Sequence, residues 1–170
     1  MNLRRAIVAV VGCVLMATAC SGTAATSASV APTSAGPTLG APCSLLTMAQ
    51  VGSAISFTVN TQTSDDAGQT CTWTYADPNN MVDFNTARLS IIDLATFSRM
   101  RVAQDSGITI TLVGNLGDAA FYTESGAQGT SLSVEKGSAA FTVGVLGKAY
   151  TAAQSKDDEN VLATEVLAGM

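Results

Sequence analysis

Between Ser21 and Pro42 the chain reads SGTAATSASVAPTSAGPTLGAP, which holds only Ser, Gly, Thr, Ala and Pro apart from Val30 and Leu39. Such a stretch cannot bury enough apolar surface to offset the entropy of ordering it. Any core must therefore come from Cys43 to Met170, which is 128 residues once the first 42 are set aside from 170. That length suits one domain with a genuine interior. As a flexible string the 22 residues from 21 to 42 reach about 25 Å.

The chain opens with a cationic MNLRR and continues with AIVAVVGCVLMATA (6–19), an uncharged run of 14 residues. Those pieces have the form of an export signal, and the run falls short of the roughly 20 apolar residues of a membrane span. Ala17-Thr18-Ala19 supplies small residues, and Cys20 follows. This resembles the bacterial lipobox, which implies that the Cys20 thiol takes a diacylglyceryl group and becomes the new N-terminus. Acyl chains contribute about 0.8 kcal/mol per buried methylene, so a membrane contact carried by lipid needs no second hydrophobic stretch. The expected division is a lipoprotein signal peptide at 1–19, a lipidated tether at 20–42 and a globular domain at 43–170. The expected address is the outer, extracytoplasmic face of the cell membrane.

Removal of the signal takes Arg4 and Arg5 from eight basic residues and leaves six against 13 acidic ones, a net charge of −7. That balance argues against a nucleic-acid partner, and against attraction to anionic lipid headgroups. Of four cysteines, Cys13 leaves with the signal and Cys20 goes to lipid. Cys43 and Cys71 remain as an even pair in an oxidising compartment, which reads as a disulfide.

Thr47 and Gln50 have the spacing of a capping box, and Leu46 can staple to Val51, so a helix is expected over about 48–56. Alternating runs at 57–63, 69–75 and 86–92 read as strands, with Cys71, Trp73 and Tyr75 on one face and Thr70, Thr72 and Thr74 on the other. Leu94, Phe97, Met100 and Ala103 recur at helical spacing over 93–106. Three further strand-like runs follow, 108–113 leading into 118–124, then 130–136 and 139–146, the last two joined by a tight turn at Lys136-Gly137-Ser138. The segment 157–170 reads as a helix with an acidic first turn and an apolar face of Val161, Leu162, Val166 and Leu167. The class is α+β: a mostly antiparallel sheet packed with about three helices, and the order helix, strands, helix, strands, helix suggests two copies of one helix-plus-strands unit.

PCSLLT (42–47), CTW (71–73), VGNLGDAAFY (113–122) and LSVEKG (132–137) together resemble the small actinobacterial, mycobacterial-type envelope lipoproteins that carry a domain of unknown function behind a lipidated leader. The resemblance implies a cell-envelope address and a Cys43–Cys71 pair. It implies no catalytic residues. Where that family often has Pro-Ala-Glu after Leu-Leu-Thr, this chain has Met48-Ala49-Gln50, and Gln50 keeps the reciprocal cap.

The chain has no histidine, which removes Ser-His-Asp and Cys-His arrangements and imidazole zinc sites. Ser133 and Lys136 match S-x-x-K, but residues three apart on a strand face opposite sides. The GNLGDAAF segment reads as a turn in which Asp118 bonds nearby backbone. Asp65-Asp66 reads as a solvated turn and Asp157-Asp158-Glu159 as a solvated helix start, without the ligand alternation of a calcium loop. Glu124, Glu135 and Glu165 cannot be paired as acid and base. Trp73 is expected to pack against the disulfide, and Arg99 and Arg101 to lie on an outer helix face.

The functional expectation is a non-enzymatic binding or accessory module without cofactor or metal. It would be anchored through Cys20 and would present a surface to an envelope protein, a glycan or an apolar ligand. The alternative is a carrier or sensor that holds a lipidic or other small apolar ligand in an internal cavity.

Overall fold

Thr47 stops the backbone in an extended conformation and accepts the Gln50 N–H, while the Gln50 side chain accepts the Thr47 N–H in return. The capping box expected from sequence is thus formed, and it opens α2 (Met48–Ile55) after a single turn α1 (Pro42–Leu45). The structure, a computed structural model, describes residues 39–77, 80–102, 107–126, 129–147 and 151–170. The leader, Cys20 and Ala103 lie outside them.

β1 (Val59–Ser64), β2 (Thr70–Asp77) and β3 (Asn80–Ile92) form an antiparallel meander. After α3 (Leu94–Val102), a second meander contains β4 (Ile108–Val113), β5 (Ala119–Ser125), β6 (Gly129–Lys136) and β7 (Ala139–Leu146), followed by α4 (Ala152–Ala168). The two meanders join where β3 pairs antiparallel with β7, which gives one seven-stranded sheet ordered β1-β2-β3-β7-β6-β5-β4. The fold is α+β, as the sequence predicts. The β6–β7 turn is the expected hairpin: Lys136 pairs with Ala139, and Gly137 takes φ of 60°, which a side chain would resist.

Period-2 alternation separates the two faces of the sheet. Trp73, Leu89, Leu132, Val134, Val143 and Val145 face α2 and α4 and join Leu46, Val51, Ile55, Leu162 and Val166 in the main core. The opposite face carries a small second core, in which Phe97 of α3 packs on Phe121 and Ala140. Helices therefore cover both faces. This arrangement is incompatible with the expected duplication. Two copies meeting at an antiparallel β3–β7 pair would be related by an axis normal to the sheet, which would put α2 and α3 on the same face.

Two helix assignments need correction. α4 begins at Ala152, because Thr151 and Gln154 form a second capping box that the sequence reading passed over, and so its first turn holds no acidic residue. Its buried stripe is Ser155, Glu159, Leu162, Ala163 and Val166; Val161 falls off that stripe and is 47% exposed. In α3 only Phe97 is fully buried, and Leu94 stands 36% exposed, outside the small second core. Thr47→Ala and Thr151→Ala are each expected to lower stability by about 1 kcal/mol. The loss should be read as a fall in urea midpoint at constant m-value.

Candidate functional site: a hydroxyl-lined cleft over Gly144

The strand AAFTVGVL places a glycine at position 144 on the face opposite the main core. One row of residues crosses the sheet at that level. Thr72 pairs with Arg88, Arg88 with Gly144, Ser131 lies beside Gly144 across the next gap, and Thr123 pairs with Ser131. The row has a side chain everywhere except at Gly144, so the sheet surface dips there.

A cleft of about 270 Å³ sits over the dip. Ser90 and Thr142 wall it on the side towards α3, Ser125 and Thr123 on the β5 side, and Ile108 and Leu146 supply its apolar margin. Arg88 is the one charged residue among its lining, and no hydrogen bond or ion pair engages its guanidinium among the described residues. The Thr123 hydroxyl is buried without a partner. No lining residue is a carboxylate, amine or thiol. The cleft's hydroxyls can therefore give and accept hydrogen bonds, and of them only Thr130 has a carboxylate beside it, that of Glu159 on the core side of the sheet.

Behind the cleft, on the core side, lies Glu159. β6 and β7 pair from Lys136–Ala139 as far as Leu132–Val143, and the next rung would join Thr130 to Val145. The Val145 N–H instead donates to Glu159 Oε1 at 3.1 Å, and the Thr130 hydroxyl donates to the same oxygen at 3.0 Å. A carboxylate from α4 thus replaces the last rung of the ladder at the floor of the cleft. Glu159 is 0% exposed and its Oε2 has no partner. Burial pushes its pKa up to about 7, against the opposing pull of the Val145 and Thr130 hydrogen bonds and of Lys156. The expectation of a solvated acidic cluster at 157–159 is overturned for this residue, because it occupies the stripe that continues through Leu162, Ala163 and Val166.

The other candidates fall as follows. Cys43 and Cys71 are joined, with Cα atoms 5.0 Å apart, and Trp73 is buried in the core that contains Cys71. Ser133 shares a hydrogen bond of 3.0 Å with Thr142, while Lys136 reaches Asp118 at 2.9 Å, so the S-x-x-K pair is split between faces as strand geometry requires. Asp118 also accepts the Gly137 N–H at 2.7 Å, which makes GNLGDAAF a turn tied to the neighbouring hairpin; these bonds hold its carboxyl below the usual range. Asp65 accepts the Gln69 and Thr70 N–H groups and closes the β1–β2 turn. Glu124 pairs with Lys156 at 2.6 Å, Glu165 accepts from Gln50, and Arg99 and Arg101 are exposed on α3. Among the described residues no group of three acidic or cysteine side chains is placed to hold a metal, and no helix is long and apolar enough to cross a membrane.

No family model, no curated protein and no solved structure matches the chain. The cleft itself escaped the sequence reading. Two signals for it were present: a glycine inside an otherwise strongly β-forming strand, and a glutamate in register with a helix's apolar stripe.

Proposed function

We propose that the chain is an exported, non-enzymatic binding module of the bacterial cell envelope, anchored through lipid on Cys20 to the outer face of the membrane, and that it binds its ligand in the cleft over Gly144. The observation that carries the binding half is the cleft's composition among the described residues: converging hydroxyls and an Arg88 without a partner, with no carboxylate, amine or thiol in the lining and the Glu159 carboxylate buried behind it. The export half is supported by the lipobox at 17–20 and by the resemblance to actinobacterial envelope lipoproteins. Net negative charge keeps nucleic acid off the list of partners.

A carrier of lipidic ligands is the second reading. It draws support from Ile108 and Leu146 at the cleft margin, but the space between the sheet and α2 and α4 is occupied by core side chains.

Two measurements test the proposal. Labelled palmitate should enter the native chain and not Cys20→Ala, and that variant should leave the membrane fraction. Native mass spectrometry of the full chain, purified from its own envelope, should show a retained small molecule. A Cys20→Ala protein that stays membrane-bound removes the anchor, and a ligand-free spectrum counts against the binding role.

A further inference from the structure

We infer that the cleft over Gly144 is built for a hexose-sized polyhydroxylated molecule bearing one anionic group, an acidic sugar in chemical terms. This inference rests on the binding reading above and narrows it to a ligand class.

The first argument is the glycine. A glycine inside a strand weakens it, and one usually marks a bulge or a place where another group approaches closely. Residue 144 pairs regularly with Arg88, so no bulge explains it. Among the described residues nothing crowds it either: a Cβ built there would meet Ser131 Cβ and the Thr130 carbonyl oxygen, both at 3.8 Å, which is ordinary contact. The chain therefore leaves open a space that its own packing would let it fill.

The second argument is the chemistry around that space. Ser90, Thr123, Ser131 and Thr142 present hydroxyls; Ser90 shares one hydrogen bond with Thr70 and Thr142 one with Ser133, which leaves each of those two a further hydrogen-bonding position for a polyol. The Thr123 hydroxyl is buried and has no partner among the described residues, and rotation of its side chain would bring it to a ligand hydroxyl. The C–H faces of a sugar ring find Ile108 and Leu146 at the margin.

Among the described residues Arg88 is the one ion in the lining and has no hydrogen-bond or ion-pair partner; it stands exposed beside the dip, on a chain with a net charge of −5. A guanidinium in that position takes a carboxylate or phosphate oxygen pair. A volume of about 270 Å³ accommodates one hexose ring with its substituent and excludes a folded polypeptide element. The ligand fits either as a free sugar acid or phosphate, or as the terminal unit of a glycan.

The test is calorimetric titration of the full chain with glucuronate, glucose 6-phosphate, glucose and inorganic phosphate, repeated on Arg88→Ala and Gly144→Leu. The expected result is binding of at least one of the two anionic sugars, weakened about tenfold or more in Arg88→Ala and lost in Gly144→Leu. The melting temperature of Gly144→Leu should be unchanged or raised, since its side chain enters open space. Glucuronate against glucose 6-phosphate separates a carboxylate from a phosphate ligand. Equal binding of glucose, or an Arg88→Ala variant that binds as well as the native chain, overturns the acidic-sugar assignment. If no sugar binds but native mass spectrometry still finds a molecule that Gly144→Leu fails to retain, the cleft is a site for another class, and the binding reading survives without this inference. If Gly144→Leu retains that molecule, both fail.

Discussion

Replacing Cys43 by serine and Cys71 by alanine together is expected to cost about 3.5 kcal/mol of unfolding free energy, the chain-entropy value for a loop of roughly 29 residues. The bridge spans a sequence separation of 28 and ties α1 to β2. α1 is only four residues long, far below the length at which a helix holds itself together in water. Without the bridge its attachment rests on burial of Pro42 and Leu46, and on the Gln62 side chain, which donates to the Cys43 carbonyl at 2.7 Å. A fall of about 10 °C or more in melting temperature should accompany the loss. Hydrogen exchange should rise first at the α1–α2 end. A double variant with an unshifted urea midpoint would mean that the bridge adds nothing beyond the packing around it.

The second large effect belongs to Glu159 and depends on pH. Its folded-state pKa is raised to about 7 from an ordinary 4.5, with burial as the main cause. A carboxyl of this kind stabilises the fold where both states hold the proton, below about pH 4.5. Its contribution is lost as pH rises through about 7, because the unfolded chain sheds the proton first. The total is roughly 3 kcal/mol. Of its charged neighbours, Lys156 draws the pKa down and Asp158 pushes it up; the strands packed against it contribute Thr130 and the Val145 N–H, neither ionisable, and Tyr122 of β5 also senses its charge. Asp65, Asp93 and Asp118 have lowered pKa values, so their contributions fade only as pH falls below the ordinary carboxyl range, outside this window. Glu159→Gln keeps the acceptor for Thr130 and Val145 and cannot ionise. Unfolding curves from pH 4.5 to 8 should show the native chain losing stability relative to this variant. Parallel curves would show that the carboxyl does not titrate in the window.

Much of the fold was legible because its signals are local. The Thr47–Gln50 box, the turn at Gly137 and the alternation about Trp73 each need only a few neighbouring residues. The cleft needs five strands, and period 2 shows which residues share a face without showing which rows lie side by side. Arg88 meets Gly144 because β3 and β7, some 50 residues apart in the chain, pair through burial on both faces, and non-local packing of that kind leaves no mark in spacing. The same limit hid Glu159. Three consecutive acidic residues read as solvated until the Thr151 cap sets the helix phase and turns the third one inward.

The seam between β3 and β7 has a kinetic consequence. Each meander is joined by short turns and can organise on its own, but the sheet closes only when residues 86–92 find residues 140–146. Until then both partners are unpaired edges, with Ala87, Leu89, Val143 and Val145 open to other chains. Closure of this last joint should therefore set the refolding rate, and the species that precedes it is the one most prone to aggregate.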